Sequence, residues 1–224
     1  MESLEHARLR MVERQVAARG VRDPRVLEAM SRVPRHAFVP PELAHEAYLD
    51  SPLPIAEGQT ISQPYIVALT AESLRLQPED RVLEIGTGSG YAAAILGALA
   101  REVHSVERHE TLAREAAQRL ADLGIANVHV HQGDGTLGLP ALAPFDAIAV
   151  TASGPRVPPA LIEQLAPGGR LVIPTGLDDS DQRLVLVTRA EDGAIHEHEI
   201  CRVRFVPLVG AQGWSRDEAL PPFS

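Results

Sequence analysis

The sequence holds a single cysteine, Cys201. One thiol cannot close an internal disulfide and leaves no Cys pair for a structural zinc, a pattern suited to a reducing compartment. Cys201 stands in the strand-like run Glu199-Ile200-Cys201-Arg202-Val203, where a small buried apolar residue is a better reading than a catalytic thiol. Long apolar runs are also missing: the longest, Ala92 to Ala100, is broken by Gly97. The N-terminus, Met1-Glu2-Ser3-Leu4-Glu5, carries acids where an export signal needs positive charge. Neither export nor a membrane span is expected, and the expected location is the cytoplasm. Basic residues are outnumbered, 21 against 30 acidic, for a net charge of -9. That balance works against gripping a phosphate backbone, which depends on Lys and Arg displacing counterions, so nucleic acid is disfavoured as a partner.

What is present suits one domain: 224 residues with 45% hydrophobic content can bury a sizeable core. Leu4, Ala7, Met11, Val12 and Val16 recur at helical spacing, predicting a helix to Arg19 that Gly20 stops. Asp23-Pro24 reads as an N-cap and first helical position for a second helix to about Arg32. Val33 to Pro41, punctuated by proline, should be irregular, and Asp50 to Pro64 should be a loop rich in polar side chains. From Arg81 strands and helices alternate: 82–85, a helix from Gly90, 103–107, a helix over about 110–123, 128–131, 145–151, a helix over 158–165, and 170–174. This βαβ alternation implies an α/β, doubly wound Rossmann-like sheet, mostly parallel. After Gly176 the alternation stops, and 183–188 and 195–207 read as strands turning around Glu191-Asp192-Gly193, which adds antiparallel strands at the C-terminal edge. The expected organisation is a single domain over 1–224, with a helical N-terminal extension and loop over 1–63, the core over 64–214, and a poorly ordered tail over 215–224.

The segment Glu84-Ile85-Gly86-Thr87-Gly88-Ser89-Gly90-Tyr91 ends a strand in a glycine turn that enters a helix. Glycine is needed where a Cβ would strike a ligand or where φ must be positive. Such a turn also serves phosphates and dinucleotides, but a P-loop needs Gly-Lys-Ser/Thr and a dinucleotide fingerprint places its last glycine or alanine where Tyr91 stands. Its spacing, with an acid two positions before the first glycine, resembles the S-adenosylmethionine methyltransferase motif. That resemblance places Glu84 near the methionine end of the cofactor and makes Gly86, Thr87, Gly88 and Gly90 cofactor-binding. A strand glutamate paired with a basic side chain is the other reading of Glu84. Glu107, closing the second strand, stands where nucleotide folds place a ribose-binding acid. Asp134 and Gly135 follow the third strand, where methyltransferases contact adenine, although an ordinary Asp-Gly turn competes.

Other segments narrow the resemblance. Val33-Pro34-Arg35-His36-Ala37-Phe38-Val39-Pro40, the loop Ile55 to Tyr65 with its Thr60-Ile61-Ser62, the stretch Pro158 to Pro174, and Arg204-Phe205-Val206-Pro207-Leu208 together resemble the protein-L-isoaspartate O-methyltransferase family from about Val33 to about Leu208. The resemblance implies methyl transfer from S-adenosylmethionine to the α-carboxylate of L-isoaspartyl residues in damaged proteins or peptides. It implies that Ser62 is the active-site hydroxyl, that Thr60, Ile61 and Ser62 help wrap the cofactor, and that an extended peptide lies beside Arg204, Phe205 and Val206. Ser62 could equally be a helix-entry serine before Gln63-Pro64. No Gly-x-Ser-x-Gly elbow makes it a covalent nucleophile. Where many relatives have a longer glycine-containing run, this chain has Ile55-Ala56-Glu57-Gly58-Gln59, which puts Glu57 near the expected substrate. Gly210 to Trp214 aligns poorly with the family and carries no expected cofactor contact. A small-molecule methyltransferase is the nearest alternative. No metal is expected, because His129-x-His131 and His196-x-His198 show no third ligand in sequence. A monomer is expected.

Overall fold

The computed structural model describes residues 3–178 and 180–215, so all of the expected tail except Ser215 lies outside the described residues. Helix α1 (Leu4–Met11) opens on Ser3, whose hydroxyl accepts from the His6 N–H at 3.2 Å. The run continues through a π turn (Val12–Val16) and a 3-10 turn (Ala17–Arg19) to Gly20, which stops it in the left-handed region at φ 106. Met11, Val12 and Val16 are buried, whereas Leu4, read as part of the apolar face, is exposed. Helix α2 (Pro24–Arg32) starts as expected, with the Asp23 carboxylate accepting from the Arg25 N–H at 2.8 Å.

The proline-rich stretch that follows is held by a buried cation. Arg35 is fully buried, and its guanidinium donates to the carbonyls of Ala47 (2.8 Å) and Ser51 (3.4 Å) while facing the Tyr91 ring at 5.0 Å. Burial pulls its pKa down to about 10, so it stays charged at neutral pH and pins residues 47–51. Beyond that strap come two short antiparallel strands, β1 (Leu53–Pro54) and β2 (Thr60–Ile61). Helix α3 (Pro64–Leu74), which the sequence reading touches only through the alternative of a helix entry at Ser62, then packs Val67, Ala68, Ala71 and Leu74 into the core. Arg170 closes its C-terminus, donating to the carbonyls of Leu74, Arg75 and Asp146 and pairing with Asp80 at 2.6 Å.

The main sheet contains β3 (Arg81–Ile85), β4 (Glu102–Glu107), β5 (Val128–Gln132), β6 (Phe145–Val150), β7 (Leu165–Thr175), β8 (Arg183–Arg189) and β9 (Ile195–Arg202). Its order is β5-β4-β3-β6-β7-β8-β9; the first five are parallel, and β8 and β9 are antiparallel additions. Helices α4 (Tyr91–Gly97), α5 (Glu110–Asp122) and α6 (Pro159–Glu163) supply the crossovers. One core lies between the sheet and α3, α4 and the N-terminal extension, around Met30, Phe38, Leu74 and Tyr91. The other lies on the α6 side, around Leu83, Ile148, Leu161 and Leu171. The chain order reverses between β3 and β6, which is where an open α/β sheet presents a crevice for a ligand.

The last strand is shorter than expected. β9 stops at Arg202 instead of running to Pro207, because the buried Gln182 side chain occupies the backbone of the next residues: Phe205 N–H donates to Gln182 Oε1 (2.6 Å), and Gln182 Nε2 donates to Phe205 O (3.2 Å). An amide side chain thus stands where a strand partner would be. The exposed edge itself is charged and polar, with His196, Glu197, His198 and Glu199 all facing solvent.

Candidate active site

At the tip of β3 the chain needs glycine for a specific reason. Thr151, at the end of β6, donates its hydroxyl to the carbonyls of Gly86 (2.6 Å) and Ile85 (3.1 Å). A Cβ on Gly86 would lie 2.4 Å from that hydroxyl oxygen, and Gly86 also has φ +95. Gly88 donates its N–H to Glu107 Oε2 (2.9 Å) and His109 donates to Oε1 (3.0 Å), which fixes the Glu107 carboxylate at the end of β4. Two lone-pair positions remain for ligand hydroxyls. Gly90 serves packing instead: it starts α4 at φ +91, with Ala116 of α5 3.4 Å from where its Cβ would be.

Beneath this turn lies Glu84, fully buried. The Ser105 hydroxyl donates to Glu84 Oε2 in a short hydrogen bond and also bonds the Thr87 hydroxyl, while Glu84 Oε1 has no hydrogen-bond partner among the described residues. Burial pushes the carboxyl up to about 8; the Ser105 bond opposes this and the nearby Glu107 charge adds to it. No basic side chain pairs with Glu84 among the described residues, which removes the ion-paired reading of this strand residue.

Residues 55–59 form the bend of the β1–β2 hairpin, closed by the Ile55 N–H donating to Gln59 O (2.9 Å). The hairpin lies across the glycine turn: Ile55 Cδ1 would be 3.5 Å from a Cβ on Gly88. Glu57, at φ 58, reaches His109 at 3.6 Å and so faces the cofactor side instead of the expected peptide side. Under the hairpin is a cavity lined by Gln59, Thr60, Gly86, Gly88, Glu107 and Gly135 among others.

A second, open groove of about 530 Å³ runs along Ser62, Gln63, Tyr65 and Ile66 on one side and residues 201–206 on the other. Thr60, Thr151 and Val206 line both cavities, so the two meet there. Ser62 lies in the groove and does not cap α3, whose N-cap is Gln63 with no side-chain bond. Arg204, Phe205 and Val206 form the opposite wall.

Other expected site residues stand behind these walls. Ile61 is buried in the core, Thr87 turns its hydroxyl to Ser105, and Glu84 and Gly90 lie below the turn. Asp134 holds the chain's own C-terminal segment: its Oδ1 accepts from Thr136 N–H and hydroxyl, and its Oδ2 from Ala211 N–H (2.7 Å). Trp214 Nε1 donates to Ser153 O (3.0 Å), completing a strap beside the cofactor cavity that sequence reasoning leaves unassigned. Backbone amides, a pre-set ribose-type acid and a buried carboxylate oxygen without a partner fit a nucleoside with a cationic tail.

The family model described as protein-L-isoaspartate(D-aspartate) O-methyltransferase matches residues 7–213. The chain belongs to that family. It is 58% identical over 208 residues to a protein-L-isoaspartate O-methyltransferase of Rhodopseudomonas palustris, covering 93% of this chain and 95% of that one. A Pelobacter propionicus relative of the same description is 56% identical, covering 96% and 95%. A solved protein-L-isoaspartate O-methyltransferase superposes with TM-score 0.81 at 31% identity, over 92% of this chain and 67% of that chain. A putative protein-L-isoaspartate O-methyltransferase of Plasmodium falciparum, solved with S-adenosyl-L-homocysteine, superposes with TM-score 0.78 at 27% identity, over 90% and 98%.

As an isoaspartate methyltransferase the chain is S-adenosylmethionine-dependent, in line with the glycine-turn reading. Several residues at its site escape sequence reasoning. Thr151 lines both cavities and fixes the glycine turn; its only sequence signal is its position after the strand that flanks the sheet's reversal. Gln59, Tyr65 and Arg19 also line the walls, and Gln182 shapes the 203–206 segment from outside them. Nothing local in the sequence marks these, because their roles arise from distant segments packing together.

Proposed function

We propose that the chain repairs damaged protein, moving the methyl group of S-adenosylmethionine to the α-carboxylate of L-isoaspartyl residues. The meeting of the cofactor cavity and the open groove at Thr60, Thr151 and Val206 carries this reading. S-adenosylmethionine supplies, when bound, an electrophilic methyl group on a sulfonium. Gly86 and Gly88 let the backbone approach it, Glu107 holds the ribose hydroxyls, and Gly135 borders the adenine end. Glu84, below the turn, is protonated at neutral pH in the ligand-free protein, and the positive charge of a bound cofactor would favour its ionised form toward the methionine end.

The acceptor carboxylate is already ionised at neutral pH, so no strong general base is needed. Alignment and exclusion of water supply the rate. Ser62 holds one carboxylate oxygen by a hydrogen bond and leaves the other to attack. Thr151 gives its hydroxyl proton to the Gly86 and Ile85 carbonyls and so has none to donate to the acceptor carboxylate. The groove is open along residues 201–206, which suits an extended peptide better than an enclosed small molecule. The methyl ester then closes to a succinimide without further help from the enzyme, and hydrolysis partly restores aspartate. The working form is a cytoplasmic, single-domain monomer.

Methyl-labelled cofactor offered with matched isoaspartyl and aspartyl peptides tests the assignment. Base-labile methyl ester should form on the isoaspartyl peptide only. Equal labelling of both, or none, would sink the repair reading.

A further inference from the structure

The groove has an unusual lining for so acidic a chain. Its walls carry Arg19, Arg202 and Arg204 and no aspartate or glutamate, although the net charge is -9. Arg19 arrives there from the far N-terminal extension, as the last residue of the helical run before Gly20. Two contacts hold it. Its Nη1 lies 2.6 Å from Asp50 Oδ2, and its guanidinium carbon sits 3.6 Å above the centre of the Tyr65 ring. Tyr65 is itself a groove residue three positions after Ser62. The Asp50 strap is fixed in turn by Gln63, which donates Nε2 to Asp50 O at 3.0 Å.

This arrangement leaves a cation ready for use. A guanidinium has five N–H donors, and Asp50 engages one edge; the side chain remains 44% exposed at the groove. A planar fork already held on a ring loses less freedom when it binds a carboxylate than a flexible chain does. Asp50 offsets part of the charge, and Arg202 and Arg204 add two further guanidinium groups to the facing wall.

We infer that Arg19 is a specificity-determining residue of this groove, favouring isoaspartyl substrates that carry an acidic side chain close to the damaged position. The inference rests on the repair reading above. Arg19 touches neither the reacting carboxylate nor the cofactor cavity; it reads the flank of an extended chain, whose residues advance about 3.3 Å each. The effect is electrostatic, and salt weakens it.

Three isoaspartyl peptides test this, identical except for glutamate before the damaged residue, glutamate after it, or glutamine at both places. Each is assayed for kcat/KM with the native protein and with Arg19→Gln and Arg19→Glu, at low and physiological ionic strength. One of the two acidic peptides should be preferred over the neutral one at low salt. That preference should fall about 3-fold in Arg19→Gln, the size of an exposed ion pair, and invert in Arg19→Glu. Disturbance of the Asp50 strap would lower all three peptides together, so the ratio isolates recognition from folding. An acidic-to-neutral ratio that is the same in the native protein and both variants overturns the role of Arg19 and leaves the repair reading intact. No labelling of any isoaspartyl peptide by the native protein overturns both.

Discussion

Glu84→Gln should stabilise the ligand-free protein more as the pH rises. Glu84 is fully buried, has Ser105 as its one hydrogen-bond partner, and has a pKa pushed up to about 8 from 4.5. A carboxyl whose folded pKa is raised contributes stability that is fully present below its unfolded pKa and is lost as pH climbs toward the folded one. Between pH 4.5 and 8 the unfolded chain releases a proton that the folded chain retains. By pH 7 the difference is about 2.5 pH units, or about 3 kcal/mol, against folding. Glutamine has the same shape and no proton to lose, so the variant's advantage over the native protein should grow from about 1 kcal/mol at pH 5 to about 4 kcal/mol at pH 8. Urea denaturation of both proteins across that range reads the effect, and groups common to both cancel in the difference. Parallel stability curves from pH 5 to 8 would refute the claim that Glu84 is buried without a compensating cation. The same variant should bind S-adenosylmethionine more weakly by calorimetry, since glutamine cannot ionise in response to the cofactor's positive charge.

Ser62→Ala should lower kcat/KM on an isoaspartyl peptide about 10- to 100-fold, the value of a hydrogen bond to a charged group, with cofactor affinity changed less than about 2-fold. Single-turnover kinetics and equilibrium dialysis separate the two. Arg170→Ala removes the donors that close α3 and strands Asp80, so it should cost about 3 kcal/mol and lower the Tm by about 10 °C. Thermal melts check this, and a shift below 2 °C would show that α3 is closed by other means. His104 Nδ1 lies 3.1 Å from His131 Nε2, and burial holds both imidazoles below their usual range. Stability should therefore be fully present above about pH 6.5 and decline as pH falls below it, more steeply in the native protein than in His104→Gln; equal slopes in melts from pH 7 to 5 would exclude the pair as the cause.

The parts of the fold set by local rules are legible in the sequence. Asp23-Pro24 caps α2 and Gly20 stops the first helical run, because capping and left-handed glycine act within a few residues. The alternation from Arg81 predicts the parallel sheet because a βαβ unit buries its strands on both faces. Helix α3 goes unassigned beyond the alternative of an entry at Ser62: its start has proline at the first position but no capping side chain, and its end is closed by Arg170, 96 positions after Leu74. The strand reading of 195–207 fails at Arg202 for a similar reason, since the Gln182 side chain acts from the residue just before β8. Within the site, the glycine turn and Glu107 can be read locally. The engagement of Asp134 with the C-terminal strap, and the place of Thr151 between the cavities, depend on contacts across the whole chain.

The early end of β9 bears on a hazard particular to a protein that handles damaged chains. Such chains are often partly unfolded, and an unpaired strand edge would recruit them into an intermolecular sheet. Here the outermost edge is lined with Glu and His, and its ladder ends at Arg202, at the start of the groove. On the proposed reading, a client along residues 203–206 would meet a segment held by a glutamine side chain, which offers no continuous ladder on which a second client could stack.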